Sequence, residues 1–228
     1  MTSSRRIALW GGIAYLVTFA AAIPALPLLE PVTDHPDYVL GAGSDNRVVL
    51  GGLLEVVAAL AGVATAVILY PVIRRVSRTC ALGFLSSRVV EAGILIAGAI
   101  SVLTVVTLRQ DLGDDAPAGL VTVAQALIDV REWTFLLGPG LFPAINAGFL
   151  GIALYRAGLV PRILPLVGFV GAPFLVGKTL AVAFGAFDEL STAAVLLALP
   201  IAAWELGLGL WLTVKGFRPP RLSTNPDH

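Results

Sequence analysis

Six stretches of the chain are apolar almost without interruption. They cover 7–29, 48–72, 84–108, 133–155, 163–185 and 191–214. Each holds about 20 residues or more, the length that carries an α-helix across the hydrocarbon core of a bilayer. None alternates apolar and polar residues as a half-buried strand does. The pattern therefore predicts an all-α, polytopic membrane helix bundle with six transmembrane helices. Two of the connections are long. The first, 30–47, is rich in Pro, Gly and Asp. The second, 109–132, contains 117-PAGLVTVAQALIDV-130, which is too sparsely apolar to span. Asp115 and Pro117 form a helix start there, and the segment reads as a short amphipathic helix lying at the interface. Residues 1–217 read as one transmembrane domain, and 218–228 as a short, disordered cytoplasmic tail.

Composition sharpens this picture. Of 228 residues 57% are hydrophobic and 13% charged, and mean hydropathy is +0.89. A soluble domain carries about 25% charged residues, so most of this surface does not face water. Net charge is zero, and no basic run suits nucleic acid. Cys80 is the single cysteine and the two histidines lie far apart in sequence, at 35 and 228. No intrachain disulfide, metal site or cofactor follows from these. Arg5 and Arg6 precede the first span as in a signal peptide. Its apolar core, however, exceeds the usual 7–15 residues, so it reads as a retained helix.

The charges are segregated along the chain. Arg5, Arg6, Arg74, Arg75, Arg78, Arg156, Arg162, Lys215, Arg218 and Arg221 fall at one set of span ends. Only Arg47, Arg109 and Arg131 fall at the other, together with most of the acids. The positive-inside rule then puts both termini in the cytoplasm, as an even number of spans requires. The expected location is the cell's inner or plasma membrane.

Five charged residues remain within the spans: Glu55, Arg88, Glu91, Lys178 and Glu205. Intramembrane ionisable groups are costly and mark functional sites by default. At about 1.5 Å of rise per residue they sort into two layers. Glu55 and Lys178 lie at a similar outer depth and are expected to pair. Arg88, Glu91 and Glu205 form an inner layer. In 86-SSRVVEAGIL-95, Arg88 and Glu91 stand three residues apart, on one helix face. Softer candidates are Asn146, mid-span behind 138-GPGLFP-143, and Trp204 beside Glu205. The prolines and glycines of 138–143 predict a kinked or broken helix. Phe84, Phe142 and Trp204 are available to wall a cavity, although plain helix packing accounts for them as well.

In their order, 46-NRVVLGGLLEVVAAL-60, 67-VILYPVIRR-75, 88-RVVEAGIL-95, 131-REWTFLLGPGLF-142, 153-ALYRAGLVPR-162 and 212-LTVKGF-217 resemble the bacterial multi-pass membrane proteins of domain-of-unknown-function family 4386. The resemblance implies about six helices and no established activity. It adds Arg131, Glu132 and Trp133 to the stretches of interest.

Three functions fit these residues. The first is an intramembrane pocket for a lipophilic molecule, with Glu55, Glu91 or Glu205 as an acid for isomerase- or cyclase-like chemistry. Arg88, Lys178, Asn146, Trp204, Arg131 and Trp133 would then contact the ligand. The second is a proton-coupled carrier relaying protons through the same glutamates, for which six helices imply an oligomer. The third is a structural or sensory partner with no ligand. No span carries a continuous polar stripe, which ranks the apolar-ligand protein above the carrier.

Overall fold

The computed structural model describes residues 3–35, 38–41, 44–112 and 119–219. Among them there is no strand. The helices are α1 (Ser3–Thr33), α2 (Asp45–Val76), α3 (Arg78–Leu112), α4 (Leu120–Leu137), α5 (Phe142–Ala157), α6 (Ile163–Ala183) and α7 (Thr192–Val214). A 3₁₀ turn, Tyr38–Leu40, sits between α1 and α2. Six segments are long and apolar enough to cross a membrane, with α4 and α5 together making the fourth. The surface is correspondingly apolar, with Trp10, Ile23, Leu60, Ile100 and Leu196 all exposed. That arrangement suits lipid contact, since no hydrophobic force drives apolar side chains out of hydrocarbon.

α1 packs along α2 and α7, α2 along α3, and α5 and α7 both along α6. Small residues set the closest approaches. A Cβ on Gly12 of α1 would stand 2.6 Å from the Thr213 nitrogen and 2.7 Å from the Gly209 oxygen of α7. α2 and α3 are joined by Ser77 alone. Its hydroxyl accepts from the Cys80 N–H at 3.2 Å, the usual service of a serine N-cap.

In a membrane every backbone group must find a partner within the protein, and the prolines test this. Pro31 lacks an N–H, which leaves the Pro27 carbonyl without its helical donor. Arg47 of α2 donates to that oxygen at 3.1 Å. At the basic end, the Arg5 guanidinium donates to the carbonyls of Leu212, Thr213 and Val214 at 2.9, 2.7 and 3.1 Å. The N-terminal end of α1 and the C-terminal end of α7 therefore lie together. At the acidic end, Arg109 bonds Asp45 at 2.8 Å and stacks over Tyr38. The Tyr38 hydroxyl donates to Asp45 at 2.8 Å. Burial, and then that hydrogen bond, push the Tyr38 phenol up to about 12.

The segment expected to end near 130 as an interfacial helix runs on to Leu137 without a break. Its expected start at 115–117 lies outside the described residues. The interruption falls instead at 138-GPGL-141, between α4 and α5. Pro139 and Pro143 supply no N–H, and the Gly140 N–H turns back to Phe135 at 3.1 Å. The Gly140 carbonyl is satisfied by the Thr179 hydroxyl of α6. Of the expected tail, Arg218 and Pro219 are described. The Arg218 N–H donates to the Leu159 carbonyl at 2.8 Å.

Candidate functional site

Four helices meet at Arg88. Arg88 and Glu91 share one face of α3, and Nη1 of the arginine donates to both carboxylate oxygens of Glu91, at 3.2 and 3.0 Å. Nη2 donates to Oε1 of Glu205, which arrives from α7. Asn146 of α5 donates its amide to Glu91 at 2.8 Å, and its own oxygen accepts from Ser87. On α1, the Tyr15 ring faces the guanidinium at 5.4 Å, and Phe84 faces it at 5.8 Å. Such stacking holds a desolvated cation more firmly than an exposed one. Arg88 is 5% exposed, so its head does not reach the interface by snorkelling. Its Nε and the Tyr15 hydroxyl are buried and have no hydrogen-bond partner among the described residues.

A cavity of about 240 Å³ opens beside this group. Arg88, Glu91 and Glu205 are the charged residues in its wall, with Thr18 as a further polar neighbour. Apart from Phe19 of α1, most of the rest is small or aliphatic: Ala58, Ala59 and Gly62 from α2, Ala92 and Leu95 from α3, and Ala198, Ile201 and Ala202 from α7. Pro139 and Pro143 close one side, so the break between α4 and α5 forms part of the wall.

The outer layer is wired differently from the sequence expectation. Glu55 does not pair with Lys178. It pairs with Arg131 of α4, whose guanidinium also lies 4.4 Å over the Phe135 ring. Lys178 bonds Glu189 in the α6–α7 connection. Because α4 is one continuous helix entering the bundle, Arg131 is a buried residue rather than a loop residue. A second cavity, about 660 Å³, lies at this end. Arg131, Glu132 and Trp133 line it on the α4 side, facing Glu30 of α1, Asp34 just after it, and Asp188 and Glu189 before α7. Trp133 is half exposed there.

Of the residues picked from sequence, Arg88, Glu91, Glu205 and Asn146 come together. Glu55, Arg131, Lys178 and Trp133 belong to the outer region. Trp204 joins neither cavity wall. It is fully buried in the apolar core, against Gly168 of α6, because neighbouring helical residues point about 100° apart and Glu205 takes the cavity side. Sequence reasoning passed over Tyr15 and Ser87. The signal for Ser87 was its place one residue before Arg88; Tyr15 offered only its polar tip inside an apolar span. Among the described residues, no group of His, Cys, Asp and Glu is placed to hold a metal ion.

Fold and composition together define a multi-pass membrane protein of the helical-bundle class, in contact with the lipid bilayer. The chain belongs to the family DUF4386, a domain of unknown function, whose model matches residues 10–216. No curated protein and no solved structure matches it.

Proposed function

We propose that the protein binds a small, largely apolar molecule inside the bundle, in the cavity next to Arg88, Glu91 and Glu205. One observation carries this reading. The cavity has largely apolar walls, aliphatic but for Phe19, and a polar corner at Arg88, Glu91 and Glu205, the combination that orients a ligand in an otherwise apolar pocket. Its volume of about 240 Å³ is below the roughly 300–1,000 Å³ of drug-sized sites, so the occupant is small. The polar corner also has the parts for proton transfer to such a ligand, two carboxyl groups beside a fixed cation. The test is mass spectrometry of small molecules that co-purify in mild detergent. Wild type is compared with Ala202→Phe, which fills the cavity, and Glu205→Gln. The reading predicts one specific compound in wild type, lost in Ala202→Phe. Bulk lipid alone in every sample refutes it.

A second reading, proton-coupled transport, draws support from the placement of the two cavities on either side of the 138–141 break. Leu136 lines the outer one, and Pro139 and Pro143 line the central one. Movement at this break would join them. We further propose that the basic end faces the cytoplasm. In a Cys80→Ala background, a membrane-impermeant thiol reagent added to intact cells should label Ala186→Cys and not Thr79→Cys; the opposite pattern inverts the topology.

A further inference from the structure

The central site is one positive charge short. Arg88 keeps its charge at any physiological pH, and a single guanidinium serves two carboxyl groups, Glu91 and Glu205. The other groups around the cluster do not correct the balance. α1 contributes the neutral phenol of Tyr15 and the hydroxyl of Thr18. α5 contributes the uncharged amide of Asn146. α2 faces the cavity with Ala58, Ala59 and Gly62, and α6 with Leu175. With both glutamates ionised the cluster would carry a net charge of −1 in a setting where uncompensated charge costs several kcal/mol. Some positive species must complete it.

The two carboxyl groups are not equivalent. Glu91 is engaged at both oxygens, by Arg88 and by Asn146. Glu205 accepts one hydrogen bond, at Oε1. Its other oxygen accepts none among the described residues, and Glu205 lines the cavity. The unmet acceptor, the missing charge and the apolar volume therefore coincide. Arg88 cannot swing to serve that oxygen, since two aromatic rings and Glu91 hold its guanidinium.

We infer that the central cavity takes a protonated amine with a small apolar body, and that this ammonium group and one proton held by the cluster replace one another. The inference rests on the central cavity being a ligand site, and it names the ligand's chemical class. The ammonium donates to the free oxygen of Glu205. Its apolar body lies against Ala58, Ala59, Ile201 and Ala202. When it enters, the carboxyl proton leaves to solvent; when it departs, a proton returns. Atoms and charge balance in both directions, and no redox partner is involved. Binding is therefore tighter at higher pH, where the competing proton is scarcer.

The test uses the full chain in detergent micelles, with benzylamine as the cationic probe and benzyl alcohol as its neutral counterpart. Titration calorimetry in two buffers of different ionisation enthalpy reads the protons exchanged. The expected result is release of about one proton per benzylamine bound, none for benzyl alcohol, and an amine affinity that rises with pH. Glu205→Gln should weaken benzylamine at least about tenfold, the usual scale for losing a charge-assisted hydrogen bond, and weaken benzyl alcohol far less. Ala202→Phe should abolish both probes while keeping every charge, which covers the case in which Glu205→Gln does not fold. Equal binding of both probes with no proton released overturns the inference and leaves the apolar pocket standing. Failure of both probes to bind wild type overturns the pocket itself, and the inference with it.

Discussion

Arg88 is the hub of the inner layer, and replacing it by Met separates two accounts of what such a hub is worth. Methionine keeps the length of the stem and removes the charge. If the three hydrogen bonds that Arg88 donates to Glu91 and Glu205 were ordinary interhelical bonds, their loss would cost about 2 kcal/mol at the roughly 0.6 kcal/mol each typical of membrane proteins. The structure argues for more. Arg88 is the partner of Glu205 and, among the described residues, the only cation bonded to Glu91, so its removal strands one buried and one partly buried carboxyl group. Breaking a buried ion pair from one side costs about 3–5 kcal/mol. Part of that loss is recovered at low pH, where the stranded carboxyls take up protons. The triple variant Arg88→Met, Glu91→Gln, Glu205→Gln removes the charges together and should return to within about 1–2 kcal/mol of wild type, since a buried pair replaced as a unit is often close to neutral. Reversible unfolding in mixed micelles of mild detergent and dodecyl sulfate, followed by tryptophan fluorescence, measures all three proteins. A single variant within about 1 kcal/mol of wild type would refute the reasoning, as would a triple variant no more stable than the single one.

The revised outer wiring can be checked by double-mutant cycles. Glu55→Gln with Arg131→Met should couple by at least about 1 kcal/mol, whereas Glu55→Gln with Lys178→Met should be additive within about 0.5 kcal/mol. The contact of α1 with α7 predicts that Gly12→Ala costs about 1–3 kcal/mol, because its new Cβ meets backbone. Gly93→Ala, with nothing within 4 Å, should be neutral or stabilising in the same unfolding assay. Tyr38, whose ionisation is pushed up to about 12, keeps its proton more tightly folded than unfolded. Its stabilising effect is whole below about pH 10 and is lost as pH rises towards 12, so thermal unfolding in that range should shift less with pH in Tyr38→Phe.

The spans were readable because their signal is an uninterrupted apolar run; α1, α2, α6 and α7 match the expectation to within about four residues, and α3 starts six residues earlier than expected, at Arg78. The Arg88, Glu91 and Glu205 group was also readable. Two of its members are fixed by spacing on one helix, and the third by depth. Depth, however, says nothing about direction around a helix axis. Glu55 and Lys178, which residue counting puts at similar depths, face different neighbours, Arg131 and Glu189. The continuity of α4 was hidden for a related reason. Residues 120–130 resemble an interfacial helix because Leu120, Ala124 and Ile128 pack on the turn at Tyr38–Leu40 and on α3 while Thr122 and Asp129 are exposed. Ending that helix near 130 placed Arg131 outside the bundle, whereas α4 runs on to Leu137 and carries it to a buried position. Trp204 shows the converse, a residue drawn towards the site by its sequence neighbour and sent to the core by helical geometry. Ser87 and Tyr15 matter only through residues on other helices, and a linear reading cannot see those.

The clasp between Arg5 and the last turn of α7 bears on how the protein is made. Ribosomes release these helices in chain order, so α1 through α6 emerge before the helix that supplies Glu205 and the carbonyls for Arg5. Until α7 arrives, Arg88 holds one of its two acids, the central cavity lacks a wall, and Gly12 has no surface to close on. Insertion of α7 is then the step that completes these contacts. A ribosome stalled before α7 would leave Arg88 and Glu91 of α3 without the α7 wall and the second acid that complete their cluster.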